Sequence, residues 1–154
     1  MIARLIQVAH YGRRLYWRIA KPVRYGVKLM AFDEGGRLLL VRHAYGSSEL
    51  WMLPGGGIDK GESADLAAIR ELKEETALYA KNLTLFGDYV TEAEGKRDHV
   101  ALFHCRVEGE MEIDRRELAE ARFFELRALP ETASPATLRR IEDWQAGCPR
   151  TMVW

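Results

Sequence analysis

Cysteine is scarce in this sequence, which has only Cys105 and Cys148 in 154 residues. The two lie far apart without the paired spacing of metal ligands, so neither a disulfide framework nor a zinc site is favoured. No apolar run approaches the roughly 20 residues that span a bilayer. The N-terminus also lacks the continuous apolar stretch and small-residue cleavage site of a secretory signal. We therefore expect a cytoplasmic protein in a reducing compartment.

Acidic residues are absent from the first 30 positions, although the formal net charge of the whole chain is zero. A chain without net charge has no global field that attracts nucleic acid, so we expect no stable nucleic-acid complex. The charge asymmetry instead marks the N-terminal segment as a separate feature. The basic residues of that segment are Arg4, Arg13, Arg14, Arg18, Lys21, Arg24 and Lys28.

Residues 1–22 show a loose helical pattern in which apolar side chains stand among the arginines, and Pro22 ends it. We expect an amphipathic helix appended to a domain of residues 23–154. Such a helix either lies peripherally on an anionic membrane, or packs on the domain or on a second copy in a homodimer. The interruptions at Gln7 and Gly12 favour packing or dimerisation. Its aromatic residues and its lack of serine argue against an organelle transit peptide.

The remaining length suits one domain with one core. A Gly-rich turn at residues 33–36 predicts a hairpin. The order of strands and helices indicates one α/β or α+β sandwich with a mixed sheet. The predicted strands are residues 27–32, 37–41, 50–53, 83–90, 99–107 and 121–126, and the predicted helices are residues 63–77 and 135–146.

Three glutamates share one face of the helix predicted at residues 63–77, since they are spaced by i, i+3 and i, i+4 steps. Like charges at this spacing repel each other unless a cation lies between them, and a divalent ion would relieve the repulsion. The alternative is an ordinary solvated face on which Arg70 and Lys73 form ion pairs. The glutamates are Glu71, Glu74 and Glu75, and the residues expected to pack inward on the opposite face are Leu66, Ile69, Leu72 and Thr76.

Three glycines directly before this helix favour the ligand-binding alternative, because a glycine backbone can approach a metal or a phosphate closely. The full segment has Gly56, five residues, Glu62, seven residues, and then a run that closes the pattern. It resembles the signature box of the Nudix hydrolases, and every fixed position matches except the last glycine. The closing run is Arg70-Glu71-Leu72-Lys73-Glu74-Glu75-Thr76-Ala77-Leu78.

This resemblance implies a Nudix-type α/β/α sandwich and a divalent metal, Mg²⁺ or Mn²⁺. By similarity to the family, Glu74 and Glu75 are the main ligands, together with the backbone carbonyl of Gly55. Glu71 is a further ligand, and Glu62 supports the loop or a second metal. Carboxylate and carbonyl oxygens are the ligands that such hard cations prefer.

For catalysis the resemblance implies a set of Glu71, Glu74 and Arg70. Glu71 is either a metal ligand or the general base that takes a proton from the attacking water, and Arg70 orients the glutamates through charged hydrogen bonds. Some family members take their base from a loop outside the box. Here Glu117 and Glu120, just before the last predicted strand, are the candidates.

The implied activity is the metal-dependent hydrolysis of a phosphoanhydride bond in a nucleoside-diphosphate-linked substrate, such as ADP-ribose, another nucleotide sugar or a nucleoside triphosphate. A non-catalytic Nudix-fold sensor of nucleotides is the alternative, and the intact box glutamates favour the enzyme. The residues predicted to contact substrate are Arg42, His43, Trp51, Glu117 and Glu120. For Trp51 a place in the core is the competing interpretation.

Ala77 stands where the box has glycine. A glycine that ends a helix usually adopts the left-handed conformation, which costs alanine about 1 kcal/mol. Either the helix exit differs here, or this strain is tolerated. Because the expected ligands lie upstream of Ala77, we expect catalysis to survive the substitution.

Overall fold

The computed structural model describes residues 24–46, 49–93, 96–149 and 152–154. The appended helix predicted at residues 1–22 therefore lies outside the described residues. The described elements are the strands β1 (Arg24–Phe32), β2 (Leu38–His43), β3 (Tyr79–Ala93), β4 (Lys96–Glu108) and β5 (Leu118–Phe124), and the helices α1 (Ala64–Thr76) and α2 (Pro135–Ala146).

The five strands form one mixed sheet in the order β3-β4-β1-β2-β5. β1 and β4 are parallel, while the other neighbouring strands are antiparallel. The predicted hairpin is confirmed, since the Asp33 amide donates to the Arg37 carbonyl at 3.0 Å. β1 and β2 pair only next to this turn, at Phe32 and Leu38, and separate beyond it.

The chain between β2 and α1 fills the gap between the separated strands. Met52 exchanges two hydrogen bonds of 2.9 Å with Val41 of β2, and the Leu29 amide of β1 donates to the Pro54 carbonyl at 3.0 Å. The predicted strand at residues 50–53 is wrong, because this segment makes only isolated bridges. Its backbone divides its hydrogen bonds among several neighbours and has no ladder of its own.

Alternate residues of the central strand enter two apolar cores on opposite faces of the sheet. Val27 and Leu29 pack in the core that α1 covers, which also contains Leu72. Met30 packs in the core that α2 covers, which also contains Ile141. One helix on each face of a mixed sheet confirms the α/β/α sandwich.

The buried face of α1 differs from the predicted one. Leu66 and Ile69 are 57% and 41% exposed, whereas Ala67, Ala68 and Leu72 are buried. The small alanines let the helix backbone lie close to the sheet. In this orientation Glu75 turns inward, so the apolar period alone gave the wrong rotation of the helix about its axis.

Several element boundaries also differ. β3 and β4 extend well beyond the predicted strands, because the two pair antiparallel along most of their length. β5 begins at Leu118, three residues before the predicted start, where it pairs with His43. In α2, Ile141 is buried as predicted, but Leu138 is exposed.

Ala77 ends α1 in the left-handed conformation, with φ 59° and ψ 4°, and its amide donates to the Lys73 carbonyl. The helix exit therefore has the geometry that glycine would give, and alanine tolerates the strain. The helices α1 and α2 have 13 and 12 residues. Within the described part of the chain, no helix is long and apolar enough to cross a membrane.

Candidate active site

The glycine loop, residues 53–57, is held against β1 and against α1. The Val27 amide donates to the Gly56 carbonyl at 2.9 Å. Gly55 has φ +132°, and a Cβ there would overlap the Val27 carbonyl oxygen. A Cβ on Gly56 would overlap the carboxylate of Glu71. Glycine is required at Gly55 because the backbone there lies directly on a strand, whereas a side chain at Gly56 would displace the carboxylate of Glu71.

Glu75 is the most deeply buried carboxylate of the box, at 2% exposure. Its Oε2 accepts a hydrogen bond of 3.0 Å from the Gly55 amide, which ties α1 to the glycine loop. Burial raises the pKa of Glu75 to about 7, although the charge of Lys28 and the Gly55 amide oppose the rise. The charges of Glu71 and Glu117 add to it.

Glu71 lies one helical turn before Glu75 and is also largely withdrawn from water, with 13% of its side chain exposed. Burial is the main cause of its raised pKa, which the hydrogen bond from Arg70 opposes. The charges of Glu74 and Glu117 raise the pKa further. Two carboxylates that resist ionisation therefore meet at the glycine loop, as at sites that bind a cation.

Arg70 connects the outer carboxylates of the box. Its guanidinium donates to Glu62 at 2.8 and 2.9 Å, to Glu71 at 2.8 Å and to Glu74 at 3.2 Å. It also donates to the Gly57 carbonyl at 2.9 Å. The hydrogen bonds from Arg70 are the main cause that lowers the pKa of Glu62 to about 2. The same network of hydrogen bonds raises the pKa of Arg70. The arginine thus fixes both the loop and the acidic helix.

The three box glutamates do not converge as a group. Glu74 points outward, with 62% of its side chain exposed, and it contacts Arg70. Within the described residues, no three His, Cys, Asp or Glu side chains are arranged to hold an ion. The oxygen donors located at the glycine loop are the carboxylates of Glu71 and Glu75 and the carbonyl of Gly55. This hard oxygen set, with two destabilised anions, fits Mg²⁺ or Mn²⁺.

The loop that precedes β5 passes over the C-terminal end of α1, where the Asp114 amide donates to the Glu75 carbonyl at 3.0 Å. This path brings Glu117 close enough to raise the pKa of both Glu71 and Glu75. Glu117 therefore lies within electrostatic reach of Glu71 and Glu75.

Glu120 lies elsewhere, although the sequence paired it with Glu117. Its carboxylate accepts hydrogen bonds from Arg42 at 2.8 Å and from Arg122 at 2.6 Å. Both arginines lie over the ring of Trp51, at 5.3 and 5.9 Å from its centroid. Glu120, Arg42 and Trp51 therefore form one group that is separate from Glu71 and Glu75.

Trp51 occupies the core under α2, with 7% exposure. Its ring meets Phe124 edge to face at a centroid distance of 4.9 Å. A ring covered by a neighbouring aromatic side chain and by arginines has little surface left for stacking on a base. Of the two interpretations of Trp51, the structure supports a place in the core.

His43 lies on the side of the buried carboxylates. Burial lowers its pKa, and the charge of Lys28 adds to the effect, whereas the backbone and the carboxylate of Glu117 oppose it. These influences place His43 near both Lys28 and Glu117. Among the substrate-contacting residues predicted from the sequence, the structure thus brings His43 and Glu117 to the box and leaves Arg42, Trp51 and Glu120 apart.

Lys28 is the residue that the sequence analysis missed. Its Nζ donates to the carbonyls of Leu53 at 2.9 Å and Gly55 at 3.2 Å. Burial lowers the pKa of the ammonium, while the charges of Glu75 and Glu71 oppose the change. A signal was present, because Lys28 interrupts an otherwise apolar central strand, and buried charges are nearly always paired.

Comparison with known proteins identifies the family. The sequence model of the NUDIX domain matches residues 22–145. A Bacillus subtilis protein named as a candidate 8-oxo-dGTP diphosphatase is 32% identical over 122 residues, which cover 79% of this chain and 80% of that protein. The NAD-capped RNA hydrolase NudC of Erwinia tasmaniensis is 30% identical over 144 residues, which cover 90% of this chain and 52% of NudC. Several relatives are thus matched over about half of their length or less.

The fold is also found in solved structures. A MutT Nudix hydrolase from Burkholderia pseudomallei superposes with a TM-score of 0.68 and 25% identity, covering 79% of this chain and 97% of that one. The sequence match and the shared fold rest on the same domain. Together they show that this chain belongs to the Nudix superfamily.

Proposed function

We propose that this chain hydrolyses a phosphoanhydride bond in a nucleoside-diphosphate-linked substrate, with Mg²⁺ or Mn²⁺ bound at the glycine loop. The observation that carries the proposal is the placement of the buried Glu75 carboxylate and the largely buried Glu71 carboxylate directly on that loop. Withdrawal from water leaves both carboxylates poorly stabilised as anions, which a divalent cation would correct.

Glu75, Glu71 and the carbonyl of Gly55 would hold the cation. When bound, it would neutralise charge on the diphosphate and lower the pKa of a water molecule. Glu74 and Glu62 remain proposed ligands, although Arg70 engages both in the structure. Carboxylates hydrogen-bonded to an arginine are held in orientation, and we assign that orienting role to Arg70.

The water that attacks phosphorus must lose a proton, and Glu71 is the proposed general base in the alternative in which Glu75 and the Gly55 carbonyl hold the cation without it. The raised pKa of Glu71 brings the carboxylate closer to neutral pH, where a base both binds a proton and releases it efficiently. Glu117 is the second candidate because its charge reaches the same two carboxylates. Replacing each with glutamine separates the alternatives, since only the base is needed for proton transfer.

The proposed substrates are nucleotide sugars such as ADP-ribose and nucleoside triphosphates. Two relatives are named as an 8-oxo-dGTP diphosphatase candidate and as a hydrolase of NAD-capped RNA, and both names refer to substrates that contain nucleotides. His43 is the proposed contact for a substrate phosphate, because it lies at the open end of β2 beside Glu117. A homodimer and a cytoplasmic location stay predictions.

The test is product release from a panel of nucleoside triphosphates, ADP-ribose, other nucleotide sugars and NAD, measured with Mg²⁺, with Mn²⁺ and with EDTA. We compare the wild type with Glu75→Gln and with a control, Glu125→Gln, whose carboxylate pairs with Arg127 at the surface. We expect metal-dependent turnover of one substrate class, a loss of about 100-fold or more in Glu75→Gln, and no loss in the control.

Two outcomes contradict this proposal. Tight ligand binding without turnover across the panel would instead establish the non-catalytic sensor. Equal turnover in EDTA and in Mg²⁺ would show that the carboxylates at the glycine loop act without a metal.

A further inference from the structure

Lys28 places a partly buried ammonium group against the glycine loop, beside the candidate active site. It lies on the central strand β1, between the buried residues Val27 and Leu29. Withdrawing an ammonium from water is costly unless its donors are satisfied and an opposite charge is near. The side chain therefore requires partners that compensate for this cost.

The hydrogen-bond partners of Lys28 belong to the glycine loop. Its Nζ donates to the carbonyls of Leu53 and Gly55, which lie on either side of Pro54. Neighbouring carbonyls in an extended segment point to opposite sides, and the Pro54 carbonyl faces the Leu29 amide of β1. Lys28 thus takes the carbonyls that β1 leaves free, including the proposed metal ligand.

Gly55 lies between Lys28 and Glu75, because its carbonyl accepts from Lys28 Nζ at 3.2 Å while its amide donates to Glu75 Oε2 at 3.0 Å. Glu75 and Glu71 are the acidic side chains that favour the charged form of Lys28, and Lys28 in turn favours the charged form of Glu75. Arg70 contacts Glu71 from the outer side and makes no hydrogen bond with Glu75. Among the described residues, Lys28 is the cation whose charge favours the ionised form of Glu75.

We propose that Lys28 is a positioning residue that serves as a built-in counter-ion for Glu75 and Glu71, doing in the metal-free protein what the divalent cation does in the loaded one. This inference rests on the proposed function of the same site. Lys28 then has two roles. It holds the Gly55 carbonyl in place, and it stabilises the charged forms of Glu75 and Glu71 in the metal-free protein.

An antagonism between Lys28 and metal follows. Both cations are attracted to the same two carboxylates, and each repels the other at short range. Removing the ammonium therefore weakens the metal-free protein while it strengthens metal binding. If Lys28 only anchored the loop, its removal would weaken metal binding, because a loosened Gly55 carbonyl would bind metal less well.

The experiment measures thermal unfolding in EDTA and at a fixed excess of Mn²⁺, together with Mn²⁺ affinity by electron paramagnetic resonance. The variants are Lys28→Met, which keeps the length without the charge, and Lys28→Arg, which keeps the charge. We expect Lys28→Met to melt lower than wild type in EDTA and to bind Mn²⁺ about tenfold more tightly. Its Mn²⁺-induced rise in Tm should exceed that of wild type by about 3–6 °C.

The matched variants complete the design. Lys28→Arg should keep the Mn²⁺ affinity of wild type within about threefold. The double variant Lys28→Met, Glu75→Gln removes one charge of each sign, so its Tm in EDTA should exceed that of Lys28→Met alone. If Lys28→Met does not fold in EDTA, two results support the same conclusion. One is that Lys28→Met folds when Mn²⁺ is added, and the other is that the double variant folds in EDTA.

Unchanged or weaker Mn²⁺ binding by Lys28→Met would overturn the inference and leave Lys28 as an anchor of the loop. Failure of both Lys28→Met and the double variant to fold, with and without Mn²⁺, would also overturn it. If wild type itself shows no Mn²⁺ binding, the proposed metal-dependent function fails together with the inference. The failure of the inference and the failure of the proposed function are distinguishable, because a comparison of Mn²⁺ affinity with Lys28→Met is possible only if wild type binds Mn²⁺.

Discussion

The side chain of Glu75 both stabilises the fold and takes part in the proposed chemistry. Its carboxylate links α1 to the glycine loop through the Gly55 amide, and it is nearly inaccessible to water. In the metal-free protein the charge of Lys28 only partly offsets the burial of this carboxylate, so its ionisation is a cost to the folded state, which protonation reduces. The metal-free protein should therefore be sensitive to pH at this residue.

The free energy of unfolding of EDTA-treated protein should fall as Glu75 ionises. Its folded pKa of about 7 lies above the ordinary value of 4.5. The associated stability is therefore fully present below pH 4.5 and is lost as the pH rises through 7. Between about pH 4.5 and 7.5 we expect wild type to lose about 3 kcal/mol relative to Glu75→Gln, measured by urea denaturation.

The glutamine variant is the matched control, because its side-chain oxygen can still accept the hydrogen bond from Gly55 but does not titrate. Parallel pH profiles of wild type and Glu75→Gln would contradict the assigned burial. So would a wild type that gains stability, relative to the variant, as the pH rises through this range.

At the scale of elements, α1 contains the glutamates of the site and ends at a residue with a strained backbone. Ala77 holds a left-handed conformation that glycine adopts without cost. We expect Ala77→Gly to stabilise the protein by about 1 kcal/mol and to raise its Tm by about 2–4 °C, as thermal unfolding would show. Turnover should stay unchanged, because Ala77 contacts none of the proposed ligands.

Asn82 provides the comparison for this change, since it has φ 53° and asparagine tolerates the left-handed region better than alanine. Asn82→Gly should therefore give a smaller gain than Ala77→Gly. A loss of stability in Ala77→Gly would mean that the flexibility of glycine in the unfolded chain outweighs the relief of strain.

The sequence predicted features that depend on local chemistry. The hairpin follows from the turn at residues 33–36, and α2 follows from Ser134, which caps its first turn by accepting a hydrogen bond from the Thr137 amide. The box glutamates were found because their spacing is rigid. The inward rotation of Glu75 was not predictable, because tight packing of Ala67 and Ala68 on the sheet decides it.

Lys28 illustrates the same limit between distant parts of the chain. Its contact with the glycine loop joins residues separated by 25 and 27 positions. Such a pairing depends on the separation of β1 from β2, which one strand pattern cannot show. Likewise, Glu117 and Glu120 are three residues apart, but the approach of the loop to α1 brings only Glu117 to the site.

At the scale of the whole molecule, the mixed sheet creates the site because β1 and β2 separate beyond their hairpin turn. The glycine loop fills the gap between β1 and β2, and α1 covers it from one face. The carboxylates of Glu71 and Glu75 consequently belong to a frame in which hydrogen bonds join strand, loop and helix, and such positioning of ligands suits metal-dependent hydrolysis. The central claim is that this frame binds a divalent cation through Glu75.

Mn²⁺ binding at pH 7.5, followed by electron paramagnetic resonance, tests that claim most directly in wild type, Glu75→Gln and the surface control Glu125→Gln. We predict saturable binding by wild type and by the control, and an affinity at least about tenfold weaker in Glu75→Gln. Equal Mn²⁺ affinity in all three proteins, or no binding by wild type, would contradict the account.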